Sequence, residues 1–349
     1  MRKILVTGGS GFIGSNFIIS QINNNIILNF DKLTYAANPA SLSSCADSSN
    51  YHFINGDITD YKKLINTIND FKPDSIVNFA AESHVDRSID GPKEFINTNI
   101  IGTYELLQAS LKYYESLGQE KKRKFRLLHV STDEVYGSLG KDGYFKETTP
   151  YDPSSPYSAS KASSDHLVKA WFHTFELPIL ITNCSNNYGP FQFPEKLIPL
   201  MIIKCLKEES LPIYGDGKNI RDWLYVNDHC NAIYTVLDKG DIGETYNIGG
   251  NQEKTNIEIV NTICDALDEK NPSKNFNSYK DLITYVKDRP GHDFRYAIDA
   301  SKIKNKLNWE PSYKFEKAIL KTVNWYLDNQ TWWENILNNT YSLKRLGES

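Results

Sequence analysis

The amino-acid sequence predicts an α/β protein: a Rossmann-type doubly wound parallel sheet with a smaller C-terminal α/β substrate-binding lobe. Three observations predict it. The apolar run Lys3-Ile4-Leu5-Val6 leads into Thr7-Gly8-Gly9-Ser10-Gly11-Phe12-Ile13-Gly14, and a helical apolar pattern through Phe17, Ile18 and Ile22 follows. That is strand, glycine turn and helix, the setting a dinucleotide-binding turn requires. Short apolar runs then recur at Ile26 to Phe30, Tyr51 to Asn55, Ser75 to Phe79, Leu127 to Val130 and Leu177 to Thr182. Finally, the composition shifts after Pro190, where a second unit begins.

The 349 residues exceed one small domain and suit a large domain with a second lobe. Hydrophobic residues make up 40% and charged residues 23%, as in ordinary globular proteins. A net charge of -4 offers no basic field for nucleic acid or an anionic membrane, so neither is expected as a partner. The five cysteines (Cys45, Cys184, Cys205, Cys230, Cys264) are scattered, without a C-x-x-C, and read as free thiols in a reducing compartment. With no apolar run approaching a membrane span, the expected location is the cytoplasm. Neither metal-ligand spacing nor an internal repeat occurs, so no metal is expected.

Taken in order, Gly8 and Gly11 permit a tight turn and close approach of backbone to a pyrophosphate. Gly14 lets the helix pack on the sheet with its N-terminus toward the phosphates. Asp31 ends the second strand, where a carboxylate accepts from adenosine ribose hydroxyls and repels a 2′-phosphate, favouring NAD over NADP. The neighbouring Lys32 weighs against that preference. Asp57 and Ile58, after the third strand, are placed to touch the adenine, and the small Ala80-Ala81 lets a cofactor lie close. Glu82 to Arg87 forms a polar loop at a strand's carboxyl end, where His84 either touches substrate or is structural. Phe95 to Tyr114 carries a helical apolar stripe, and Lys121 to Arg126 reads as a solvated loop.

Ser131-Thr132-Asp133-Glu134 stands at the end of the next strand. Tyr157 and Lys161 lie four apart on a helix, and so on one face. A phenol, with a pKa of about 10, is a poor base at neutral pH, but an adjacent ammonium favours its phenolate. The pair can then take a hydroxyl proton while hydride leaves the same carbon. Alone, Tyr-x-x-x-Lys is common on helices, and Asp133-Glu134 reads equally well as a helix first turn capped by Ser131 or Thr132.

Together, Gly8-x-x-Gly11-x-x-Gly14, the strand-end Ser131-Thr132 and Tyr157-x-x-x-Lys161 resemble the extended short-chain dehydrogenase/reductase family. Within it, the nucleotide-sugar dehydratases come nearest. The carriers are Ala80 to Ile89, Ser131 to Gly137, Ser154 to His166, Asn186 to Pro190, Ile220 to Val226 and Asp288 to Asp293. The Thr132-Asp133-Glu134 triplet is the most specific, and Ala37 and Ala318 stand where glycines are expected. The resemblance implies NAD as cofactor, a homodimer built on the helices of Phe95 to Tyr114 and Tyr157 to Phe175, and conversion of dTDP-glucose to its 4-keto-6-deoxy derivative plus water. It implies a cofactor domain over 1–190, with about 226–250 returning to it, interleaved with a nucleotide-sugar lobe over 191–225 and 251–349.

By resemblance, Thr132, Asp133, Glu134, Tyr157 and Lys161 are catalytic. Phe12, Ile13, Lys32, Thr34, Ser83, Asn99, Ser131 and Asn187 join the glycines, Asp31, Asp57, Ile58, Ala80, Ala81, Tyr157 and Lys161 around the cofactor. The substrate site is His84, Thr132, Asn186, Lys196, Leu197, Pro212, Tyr214, Arg221, Asn256, Arg289 and His292, with Arg221 suited to a diphosphate. Chemically, a hexose C5 hydrogen becomes acidic only once C4 is a ketone. Elimination then needs a base for C5 and a protonated acid for the C6 hydroxyl, roles that fit Glu134 and Asp133. The rival expectations are a nucleotide-sugar 4-epimerase, which needs no such acid and base, and a silent NAD-binding scaffold.

Overall fold

The structure is a computed structural model and describes residues 1–288, 293–339, 341 and 343. The first half alternates strand and helix: β1 (Arg2–Thr7), α1 (Phe12–Gln21), β2 (Asn25–Asp31), β3 (Tyr51–Asn55), α2 (Tyr61–Phe71) and β4 (Ser75–Asn78). After β4 come the short α3 (Val85–Asp90) and α4 (Pro92–Phe95), a π-helical segment Ile96–Gly102, then α5 (Thr103–Ser116) and α6 (Gln119–Lys124). β5 (Arg126–Thr132), α7 (Pro156–Phe175) and β6 (Ile179–Cys184) complete this half.

The second half runs β7 (Asn186–Tyr188), α8 (Leu197–Leu206), β8 (Leu211–Tyr214), β9 (Ile220–Tyr225), α9 (Val226–Lys239), β10 (Thr245–Ile248) and β11 (Glu253–Thr255). It ends with α10 (Asn256–Lys270), β12 (Ile283–Val286), α11 (Ser301–Leu307), α12 (Phe315–Asp328) and α13 (Gln330–Asn339).

Seven parallel strands form the main sheet, in the order β10-β6-β5-β4-β1-β2-β3. The chain direction across the sheet reverses between β1 and β4, the crevice where doubly wound sheets bind ligands. Such strands must be apolar on both faces, because helices cover both. Alternation along each strand sorts the side chains. Ile4, Val6, Leu128 and Leu180 pack with Phe17 and Ile18 of α1 and Ile233 and Val236 of α9. Leu5, Ile76, Leu127 and Ile179 pack on the other face with Leu64 of α2, Leu106 of α5 and Val168 of α7.

The lobe has its own core, in which Ile202 of α8, Ile263 of α10 and Ile319 of α12 meet Trp223 and Tyr225 of β9. The chain crosses between the two units more often than the sequence suggests. α9 and β10 return to the sheet as expected, but so do Ala300, Ile303, Leu307 and Trp309, which lie inside the stretch assigned to the lobe. Two further expectations change. The single helix over Phe95 to Tyr114 is interrupted by the π-helical segment, which turns Asn99 inward. Lys121 to Arg126 is not a loop: α6 covers Lys121 to Lys124, supported by a Glu120–Lys124 pair one turn apart and by cations at its C-terminal end, and Arg126 opens β5.

Candidate active site

The glycine turn is built for an anion. Gly8 has φ +70 and its amide donates to Phe30 O at 3.0 Å; a Cβ there would stand 2.5 Å from Ala80 N. At Gly14 a Cβ would stand 2.4 Å from Gly8 O, so helix and turn pack too closely for a side chain. Gly11 differs: an added Cβ would meet only Gly8 O, at 3.4 Å, and the residue lines the cleft. Since α1 has no side-chain cap and no acid in its first turn, its N-terminal dipole is available to a phosphate. Asp31 is buried in the cleft wall, its carboxylate accepting from Ser10 N at 2.8 Å and Leu33 N at 2.7 Å. Lys32 is paired with Asp57 at 2.8 Å, which offsets the charge that could draw a 2′-phosphate.

One cleft gathers Gly8, Gly11, Phe12, Ile13, Gly14, Asp31, Lys32, Thr34, Asp57, Ile58, Ala80, Ala81, Ser83, Ser131 and Asn187 together with Thr132, Asp133, Glu134, Tyr157 and Lys161. Asn99 does not line it. Buried behind the loop after β4, Asn99 accepts from Glu82 N at 2.9 Å and donates to Glu82 O and Ser160 Oγ, so it shapes the loop. A second cavity, bounded by the lobe, is lined by His84, Asn186, Lys196, Leu197, Pro212, Tyr214, Arg221 and Asn256. Glu134, Asn186, Glu195 and Lys196 line both cavities, which adjoin at these residues. Thr132 lies on the cofactor side only. Arg289 and His292 lie outside the described residues.

Thr132 ends β5 and its hydroxyl accepts from Glu134 N at 3.3 Å, so the capping role expected of an ordinary first turn is also present. That cap turns Asp133 inward. Burial, then the negative charges of Glu134 and Asp222, hold the Asp133 carboxyl well above its ordinary range, against the pull of Arg221. Its Oδ2 and the Asn186 Oδ1 are buried with no hydrogen-bond partner among the described residues, and both residues line the cleft.

Tyr157 departs from the sequence argument. Burial and the Glu134 charge hold its phenol well above the ordinary range, with only the Thr132 hydrogen bond lowering it. The Lys161 ammonium donates instead to Val130 O at 2.9 Å and lies 3.5 Å from His129 Nε2. In the lobe, Arg221 donates to Ile220 O at 2.7 Å and Asp293 O at 2.9 Å and lies 4.3 Å from the centre of the Tyr296 ring.

Sequence reasoning missed several neighbours. Glu195 accepts from Arg87 Nε at 2.9 Å and from Tyr35 OH at 3.0 Å, and Arg87 stacks over Tyr35 at 3.7 Å. His129 and Asp165 stand behind Lys161. Asp165 was within reach of the helical spacing that gave Tyr157 and Lys161, being four further on; Glu195 carried no local signal.

A parallel sheet with the β1–α1 glycine turn at its reversal, and a Tyr–Lys pair beside the end of β5, defines an extended short-chain dehydrogenase/reductase. Here a buried acid and its carboxylate neighbour are added to that frame. The chain belongs to the GDP-mannose 4,6 dehydratase family, whose sequence profile matches residues 5–322. It is 57% identical over 348 residues to the dTDP-glucose 4,6-dehydratase of Xanthomonas campestris pv. campestris (strain B100), covering 99% of each chain. A dTDP-glucose 4,6-dehydratase structure from Bacillus anthracis str. Ames, in complex with NAD, superposes with a TM-score of 0.84 at 48% identity, covering 96% of this chain and 100% of that one. The dTDP-glucose 4,6-dehydratase of Streptomyces venezuelae, with NAD bound, gives a TM-score of 0.87 at 42% identity, covering 96% and 99%.

Proposed function

We propose that this protein is an NAD-dependent hydro-lyase that converts dTDP-glucose to dTDP-4-keto-6-deoxyglucose and water. The observation that carries the reading is the buried Asp133, its carboxyl raised well above the ordinary range, beside Glu134 and in one cleft with Tyr157 and Lys161. An epimerase needs no acid and base at these two positions. The cofactor fits the residues present: Gly11 leaves room for a pyrophosphate, α1 offers its N-terminus, and Asp31 stands at the ribose end. Gly8, Phe12, Ile13, Gly14, Thr34, Ala80, Ala81, Ser83 and Asn187 enclose it. Bound NAD would supply the hydride acceptor and donor.

Within this reading Tyr157 takes the proton of the C4 hydroxyl, with Thr132 bonded to its phenol. Once C4 is a ketone, Glu134 removes the C5 proton and Asp133 protonates the departing C6 hydroxyl. C6 then regains a hydride and C5 a proton. The nucleotide half lodges in the lobe cavity, where Arg221, Lys196 and Asn256 face its phosphates and Tyr214, Pro212 and Leu197 its base. The substrate offered to the pure protein is dTDP-glucose, and the readout is the 4-keto product. Formation of a C4 epimer without water loss would assign the epimerase chemistry instead, and no reaction with tight NAD binding a silent scaffold.

Exposed Ile96, Ile101 and Phe175 stand on the π-helical segment and at the end of α7, an apolar surface that suits pairing with a second copy of this chain. A dimeric mass by light scattering at micromolar concentration is expected, and a monomeric mass refutes the pairing. Among the described residues no helix is long and apolar enough to cross a membrane. The five cysteines are buried free thiols, which suits the reducing cytoplasm, and cell fractionation tests that location.

A further inference from the structure

Tyr157, Lys161 and Asp165 fall four apart along α7 and share its buried face, while His129 and Ser131 alternate onto the facing side of β5. Behind the cleft-lining Tyr157, Lys161 and Ser131 lies a dry polar pair that does not line the cleft: Asp165 and His129 are 0% and 1% exposed. Asp165 Oδ2 accepts from Ser131 Oγ at 2.8 Å, Tyr151 OH at 3.0 Å and Asn183 Nδ2 at 3.4 Å. Its Oδ1 lies 3.4 Å from His129 Nε2, which in turn lies 3.5 Å from the Lys161 ammonium. On the far side of the ring, Asn78 donates to His129 Nδ1 at 3.0 Å and itself accepts from Thr7 at 2.5 Å. With Nδ1 accepting, the ring proton sits on Nε2, which lies 3.2 Å from Ser164 Oγ and 3.4 Å from Asp165 Oδ1.

We propose that Asp165, acting with His129, is a positioning residue for the reaction: the buried anion that keeps Lys161 protonated and ties α7 to the reactive end of β5. An ammonium in a dry site sheds its proton unless an anion opposes the loss. The titratable groups acting on Lys161 are His129 from β5, Cys184 from β6 and Asp165 from its own helix. Among them Asp165 supplies the negative charge. Burial draws the Lys161 ammonium below its ordinary value, and Asp165 then Cys184 oppose it. Burial and the Lys161 charge hold His129 below its ordinary value, so it stands as a neutral ring between the Lys161 ammonium and the Asp165 carboxylate. Despite burial, Asp165 lies below the usual carboxylate range, held there by His129, Lys161 and Ser131.

The proposal rests on the dehydratase reading, and formation of the 4-keto product from dTDP-glucose by the wild-type protein checks that reading separately. Single-turnover NADH formation is then followed against pH. Asp165→Asn keeps the shape and an acceptor for Ser131 but removes the charge. Its alkaline limb is expected to move acidward by about one pH unit, so that at pH values above the wild-type limb its rate is about tenfold lower. Asp165→Glu restores the charge in a poorer shape, so its limb stays near that of wild type even where its rate falls. A wild-type limb in Asp165→Asn, or equal displacement in both variants, overturns the proposal.

A second measurement does not depend on activity or on Asp165→Asn folding alone. Lys161→Met leaves the carboxylate buried without its cation, and Lys161→Met/Asp165→Asn removes both charges together. The double variant is expected to unfold at a higher temperature than Lys161→Met. A double variant no more stable than Lys161→Met breaks the coupling and with it the proposal.

Discussion

At the scale of single residues, the acid of this site is held at the expense of stability. Asp133 has a folded pKa raised above its ordinary 3.8, so the folded chain retains its proton more tightly than the unfolded one. Its stabilising contribution is complete below about pH 4 and is lost as pH rises through the raised value. Asp133→Asn cannot ionise. Its unfolding midpoint is therefore expected to exceed that of wild type at pH 8, with the difference closing near pH 4. The same variant should oxidise dTDP-glucose, accumulate bound NADH and stall before water loss. Glu134→Gln should also stop turnover, but by failing to exchange the C5 hydrogen with solvent deuterium, an exchange that Asp133→Asn retains. Equal exchange in the two variants would contradict the division of labour. Tyr157→Phe keeps the ring that packs edge-on against Phe95. Hydride transfer should fall by a factor of about 10²–10⁴, the range for losing a general base.

At the scale of elements, the glycine turn separates folding from cofactor binding. Gly14→Ala drives a Cβ to 2.4 Å from Gly8 O and should lower the thermal midpoint of the cofactor-free protein. Gly11→Ala meets nothing closer than 3.4 Å, so the fold should hold while NAD binding, followed by calorimetry, weakens about tenfold or more. If Gly11→Ala bound NAD like wild type, the pyrophosphate would not lie against this turn. Asp31→Ala should weaken NAD binding and narrow its margin over NADP, and an unchanged preference would move that choice to the Lys32–Asp57 pair.

This turn, with Asp31, was legible in the sequence because its physics is local: a strand, a positive φ and a helix start within one short stretch. The strand-end triplet and the Tyr157–Lys161 spacing were legible for the same reason. What escaped depended on long-range contacts. Nothing near Asn99 in the chain indicates that it bonds Ser160 across the domain, or that a π-helical segment turns it there. Lys161 was expected to serve Tyr157, yet its ammonium is engaged by Val130 O of β5. The basic composition of Lys121 to Lys124 suggested a solvated loop, and solvated it is, but end charges and an i,i+4 pair make it a helix.

At the scale of the whole molecule, the lobe and the sheet are sewn together by a chain that leaves the sheet after β6, returns at α9, leaves again after β10 and returns at α11. Such lacing has a mechanical consequence. Among the described residues no single connection joins the two units as a joint, so adjustments around a bound sugar are expected to be small and shared among several strand ends. It also denies either unit a life of its own. A fragment of residues 1–190 lacks β10, which covers the edge of β6, and the α9 side chains Ile233 and Val236 that seal one sheet face. That fragment should aggregate on expression, and the intact chain should melt in one calorimetric transition, since two separate transitions would mean that the stitches carry no load.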